Sequence, residues 1–161
     1  LLGYAMSEEG RLLSLLASGT HPGKLCRETP FRVNDDGLLM VGSTDIFWED
    51  GEYIDLRDWK TTSEEDAPAS YYEEQLKFYA YAMHVYRREK GLPGKKIRIG
   101  INYLRSPERD RISTEMSADM IFETGCSTHR AAVSALSGSF EAKPERCPVC
   151  PWRDICSKKH V

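Results

Sequence analysis

No stretch of this sequence approaches the eighteen or more uncharged apolar residues that a helical membrane span requires. The opening LLGYAMSEEG has neither the basic start nor the small-residue cleavage pattern of a secretory signal. Internal repeats and low-complexity tracts are also missing, which sets aside repeat architectures and compositionally biased linkers. Nor is there an initiator Met: the chain opens directly in a helix-like run. The expectation is a soluble, intracellular piece of a longer protein, whose upstream residues could add to any site. What remains is a chain of 161 residues with 40% hydrophobic content, which reads as a single domain, 1–161, able to bury a core.

The net charge of −3 gives no general attraction for nucleic acid, but its distribution is uneven. Residues 1–74 hold 6 Lys/Arg against 16 Asp/Glu, and residues 75–161 hold 16 against 9. The acidic half could hold cations and the basic half could face phosphates, unless solvated faces are merely sorted this way.

Hydrophobic spacing predicts a helix over 1–18, through Leu2, Leu12, Leu13, Leu15 and Leu16, ending near Gly19. His21-Pro22-Gly23 breaks it. Pro30–Val33 reads as a short strand, Asn34–Gly37 as a turn and Leu38–Trp48 as a longer strand. Asp50-Gly51 then carries a hairpin signal into Tyr53–Trp59, where Ile54, Leu56 and Asp58 share a face by the two-residue period. A long helix is predicted over 70–90, a fourth strand over 97–104, a turn over 105–111 and a second long helix over 117–136. The order α-β-β-β-α-β-α points to an α/β fold, a mixed central sheet with helices packed on it.

Chemistry concentrates on the two central strands. Asp45 lies inside the apolar run Leu38–Trp48, and Asp58-Trp59-Lys60 ends the next strand. A hairpin between them lets the two carboxylates meet at one end of the sheet. Buried carboxylates are costly without a partner, and a hard cation is a fitting one. Mg²⁺ takes oxygen ligands and usually needs only one or two protein carboxylates beside waters and substrate phosphates. Lys60 projects from the same face as Asp58 and could orient the attacking water or offset charge on a phosphate. The plainer alternative is a turn aspartate and a surface Asp–Lys pair.

Glu28-x-Pro30-Phe31, Gly42-x-x-Asp45, Asp58-Trp59-Lys60-Thr61 and Gln75-x-x-x-Tyr79 together resemble the successive motifs of the RecB-like branch of PD-(D/E)XK nucleases. That branch includes the nuclease domains of RecB, AddA and AddB and the exonucleases associated with CRISPR systems. The resemblance spans roughly residues 26–105 and rests on the order and spacing of four motifs. It implies a restriction-endonuclease-like core, with Asp45, Asp58 and the Trp59 carbonyl as ligands of Mg²⁺ or Mn²⁺ and Lys60 as the catalytic lysine. Gln75 and Tyr79, four apart on one helix face, would reach a nucleotide or that lysine; read without the motif, Tyr79 is simply core. Glu28 is either an additional metal-site or supporting carboxylate or a solvated charge before the strand. The family's further histidine has no counterpart here, since His21 sits in a Pro-Gly loop.

The segment 143–161 holds three of the five cysteines, Cys147, Cys150 and Cys156. An intracellular setting favours metal ligation over disulfides, and thiolates suit zinc or an iron–sulfur cluster. A [4Fe–4S] cluster takes four ligands. The spacing is similar to the iron–sulfur staple of AddB-type and CRISPR-associated nucleases, which makes Cys26 a candidate fourth ligand, unless that ligand lies upstream. Cys126 reads as a small buried hydrophobe. The resemblance as a whole implies a metal-dependent deoxyribonuclease of recombinational repair, acting on single-stranded DNA ends fed to it by a helicase domain. The rival readings are a stand-alone CRISPR-type exonuclease, an inactive DNA-end-binding domain, and a zinc-bearing interaction module.

Overall fold

The computed structural model describes residues 2–63, 70, 72–105, 111–139, 147–148, 150 and 153–156. The chain divides into two compact units, Leu1–Thr128 and His129–Val161. The first holds a five-stranded sheet in the order β1 (Lys24–Asp35), β2 (Leu38–Glu49), β3 (Tyr53–Lys60), β4 (Lys96–Tyr103) and β5 (Arg111–Met116). Its helices are α1 (Leu2–Met6), α2 (Glu8–Ala17), α3 (Glu73–Glu89) and the start of α4 (Ala118–Leu136). All neighbouring strands are antiparallel except β3 and β4, which run parallel. A parallel pair cannot be closed by a tight turn; α3 supplies the crossover.

Two turns set the hairpins. Between β1 and β2, Asp36 (φ 48°) and Gly37 (φ 91°) are both left-handed, the conformation of a two-residue hairpin loop that matches strand twist. Asn34 Oδ1 accepts the Gly37 N–H at 2.9 Å and closes it. Between β2 and β3, Asp50 Oδ1 accepts the Glu52 and Tyr53 N–H groups at 2.8 and 2.7 Å. Those donors hold the Asp50 carboxyl below its usual value, Tyr53 N–H contributing most.

The sheet is covered on both faces. Phe47, Ile54, Leu56, Ile97, Ile99 and Ile101 pack against Leu76 and Ala80 of α3, while Ile46 and Trp48 pack on the other face against Leu13 and Leu16 of α2. Each fully buried Leu or Ile contributes roughly 1.5–3 kcal/mol, so the layer under α3 is the main source of stability. A second cluster of Val33 and Met40 with Tyr81, Ala82 and Val85 extends that layer along α3.

The two long strands reverse their facing along the way. Cys26 and Val33 of β1 both pack against the α3 layer although they are seven positions apart, an odd offset, and Phe47 and Met40 of β2 do the same. Strict alternation would send each pair to opposite faces. In β1 the break coincides with Glu28, whose φ of 43° is left-handed in mid-strand.

Several expectations are corrected. The helix predicted over 1–18 is two, because Ser7 adopts an extended conformation and caps α2 by accepting the Gly10 N–H at 3.1 Å. β1 begins at Lys24, so Glu28 lies inside the strand and not before it. The segment after the predicted turn is a fifth strand, β5, along the free edge of β4; residues 106–110 of that turn lie outside the described residues. Cys126 is exposed, not buried.

Candidate active site

The β2–β3 ladder pairs Ile46 with Arg57, so one step further Asp45 faces Asp58. Asp45 is near enough to act on the Asp58 carboxyl electrostatically. Asp45 is exposed and its Oδ2 also accepts the Trp59 N–H at 3.3 Å, while Asp58 is only 3% exposed. Burial pushes the Asp58 carboxyl above its ordinary value and Asp45 pushes it the same way; Lys60 pulls against both, its Nζ 2.6 Å from Asp58 Oδ2. Asp45, Asp58 and Lys60 therefore converge on one face of the sheet, where β3 ends beside β4. The carboxyl ends of parallel strands are where open α/β sheets commonly bind ligands.

This pair fits a divalent cation on its own chemistry. Two juxtaposed carboxylates, one of them buried, repel when ionised, and a hard cation relieves both the repulsion and the desolvation. Trp59 lies between the pair and Lys60; its indole turns to the other face, edge-on to Tyr4 at 6.1 Å. Glu28 is at the strand position facing Asp45, given that Arg27 pairs with Ile46 and Thr29 with Thr44. It is exposed, and no group of three or more His, Cys, Asp or Glu poised for a metal exists among the described residues.

The remaining motif residues are linked to one another. Gln75 Nε2 donates to Tyr79 Oη at 2.7 Å. The Tyr79 ring meets Phe31 edge-on at 5.8 Å. Phe31 in turn lies against Gly42, its register partner on β2, where a Cβ would come within 2.5 Å of Phe31 Cζ. Phe31 and Gly42 thus serve packing: they bring Tyr79 and the α3 layer down onto the hairpin.

Two groups escaped the sequence reading. Tyr72, at the start of α3, places its ring under the Lys60 ammonium at 4.0 Å from the centroid. Its signal was legible: Tyr72 precedes Gln75 by three residues and so shares its helix face. The second group is a buried polar network on the opposite face. Arg57 Nε lies 2.6 Å from Asp55 Oδ1 and 3.6 Å from Glu9 Oε1, and Arg57 donates to Ser113 Oγ at 3.2 Å. Asn102 Nδ2 donates to Tyr4 Oη at 2.9 Å and to Glu9. Burial first, and Glu9 second, push the Tyr4 hydroxyl up to about 12. The network ties α1 and α2 to β3 directly behind the Asp58 face.

In the second unit, the Cys150 N–H donates to Cys147 C=O at 3.3 Å and the Cys156 N–H to Arg153 C=O at 3.4 Å. All five cysteines are free thiols, and as they stand these three are not gathered into a preformed metal site.

A mixed five-stranded sheet flanked by helices, with paired carboxylates and a lysine at the end of its parallel pair, has the architecture of a restriction-endonuclease-like core. The chain belongs to the PD-(D/E)XK nuclease superfamily, whose family model matches residues 7–157. Among solved structures, the crystal structure of SSO0001 superposes with a TM-score of 0.51 at 17% identity, over 95% of this chain and 71% of that one. At that identity the likeness speaks for the fold alone. A search of curated proteins found no match. Members of the superfamily are generally nucleases that use divalent metal ions. No helix among the described residues is long and apolar enough to cross a membrane.

Proposed function

We propose that this chain is the nuclease domain of a RecB-like helicase–nuclease, hydrolysing DNA phosphodiesters at single-stranded ends in recombinational repair. The observation that carries the reading is the juxtaposition of Asp45 with buried Asp58 across β2 and β3, offset by Lys60 at the end of β3. Asp45, Asp58 and the Trp59 carbonyl would hold Mg²⁺ or Mn²⁺, which when bound supplies an activated water and a Lewis acid for the phosphoryl oxygen. Lys60 holds its ammonium where charge would develop on the phosphate. Gln75 and Tyr79 line the approach, and Glu28, opposite Asp45, adds negative charge at the rim.

For the cysteine tail the proposal is a [4Fe–4S] cluster on Cys147, Cys150 and Cys156, with Cys26 or a residue outside this sequence as fourth ligand, or else a zinc ion on the same thiolates. Three cysteines within ten positions support it; loading would have to gather them, as metal binding coupled to folding does.

The test is cleavage of end-labelled single- and double-stranded DNA with Mg²⁺ or Mn²⁺, for the wild type and for Asp45→Asn and Asp58→Asn. Metal-dependent cleavage lost in both variants supports the reading. DNA binding without cleavage in the wild type would favour an inactive end clamp, and cleavage that survives in both variants would place the chemistry elsewhere.

A further inference from the structure

We infer that Tyr72 is a positioning residue for Lys60, holding the ammonium in place when a metal ion takes Asp58 away from it. The inference rests on the nuclease reading above.

The Lys60 ammonium meets two groups of opposite kind: the Asp58 carboxylate, 2.6 Å from its Nζ, and the face of the Tyr72 ring, 4.0 Å from centroid to Nζ. A cation on the face of an aromatic ring is attracted by the ring quadrupole, without formal charge or coordinating lone pairs. Only the carboxylate can be claimed by a divalent metal. Asp58 is the buried member of the carboxylate pair, and its affinity for any incoming cation is bound up with the ion pair it already makes. A metal on Asp45 and Asp58 competes with the ammonium for the same oxygen and repels it as a like charge. The ring competes for nothing. Tyr72 therefore provides a seat that stays in place in the metal-bound state and keeps a flexible four-carbon side chain from swinging out to solvent.

The placement is also mechanically sound. Tyr72 is half-buried and packs against the main core cluster, and its carbonyl accepts the Leu76 N–H at 3.0 Å, so the ring rides on the first turn of α3. β3, which carries Lys60, is tied at its end to the residue following β4 by the Leu104 N–H on Lys60 C=O at 2.9 Å. Lysine and ring thus sit on two rigid elements.

The experiment uses nuclear magnetic resonance of Lys60 together with kinetics. In the wild type the Lys60 ε-methylene protons should be shifted upfield by the ring, and should remain so when Mg²⁺ is added without DNA. Tyr72→Phe should preserve that shift and cleave within about twofold of the wild type, whereas Tyr72→Leu, at unchanged melting temperature, should lose the shift and about tenfold in kcat, the scale of one cation–ring contact. Calorimetry should show weaker Mg²⁺ binding in Tyr72→Leu, since the ammonium then falls back on Asp58. A Lys60 resonance that returns to its unshifted position on Mg²⁺ addition, or a Tyr72→Leu variant with wild-type kcat and Mg²⁺ affinity, would overturn the inference. If the wild type cleaves no DNA, the nuclease reading fails, while the resonance and calorimetric results still decide the role of Tyr72.

Discussion

Asp45 and Asp58 face each other across the β2–β3 ladder, and the buried member of the pair has its carboxyl pushed up, by burial first and, once the opposing pull of Lys60 is set aside, by Asp45. An acid whose folded value is raised contributes stability that is fully present below its ordinary value of 3.8 and is lost as pH rises through the higher folded value. The metal-free protein should therefore lose melting temperature over an interval just above the usual carboxylate range. Asp58→Asn should flatten that part of the profile. Stabilisation by Mg²⁺ should grow over the same interval, because on the proposed reading the cation binds the ionised pair. A profile identical in the wild type and Asp58→Asn would show that the pair is not the source.

On the proposed reading, Lys60→Met should lower cleavage by roughly a hundredfold or more, the cost of removing a charged group that would face the transition state, while leaving Mg²⁺ affinity equal or tighter. Ammonium is not a ligand and competes for Asp58. A variant that loses metal affinity as severely as Asp58→Asn would reverse this division of roles.

Gly42→Ala should destabilise the unit by about 1–3 kcal/mol, since the new methyl meets the end of a ring held by Tyr79 and Phe78. Denaturant unfolding measures the loss, and Phe31→Leu in the same chain should recover part of it. Additive losses in the double variant would mean the clash is relieved elsewhere.

Arg57→Met should cost about 3 kcal/mol or more, because it leaves the carboxylates of Asp55 and Glu9 buried with one fewer cation. A double-mutant cycle with Glu9→Gln should show coupling between α2 and β3. Independent effects would disconnect the helix from the strand behind the site.

For the tail, anaerobically purified protein should carry about four irons per chain if a cluster forms, or about one zinc if the thiolates bind zinc instead. Replacing any of Cys147, Cys150 or Cys156 should remove that metal before it affects cleavage. Full metal content in all three single variants would sink both versions.

The central hairpin and the crossover helix were legible because their signals are local. Asp50-Gly51 marks the turn, the alternation of Ile54, Leu56 and Asp58 marks the face, and Leu76, Tyr79, Ala80 and Met83 mark the stripe of α3. The break at Ser7 was hidden because apolar spacing runs straight through it. β5 was missed because an edge strand keeps one side in water, and Arg111-Ile112-Ser113-Thr114-Glu115-Met116 looks polar enough for a loop. Arg57 and Asp55 were read past for a different reason. A buried charge is recognisable only through its partners, and Glu9 and Arg98 come from elements far away along the chain. The pairing of Lys60 with Tyr72 likewise depends on where α3 lands, not on any residue near Lys60.

Glu28 carries a consequence for anyone wishing to build on this scaffold. A non-glycine residue at a φ of 43° in mid-strand sits in a backbone conformation that costs of order 1–3 kcal/mol, and glycine would adopt it freely. Exchange for glycine is thus a natural first step for engineering a sturdier version, because the face reversal of the hairpin would survive and the penalty would not. It would also detach shape from charge at the rim of the site. Whatever a Glu28→Gly protein forfeits in DNA cleavage, after gaining in melting temperature, belongs to the carboxylate and not to the bend.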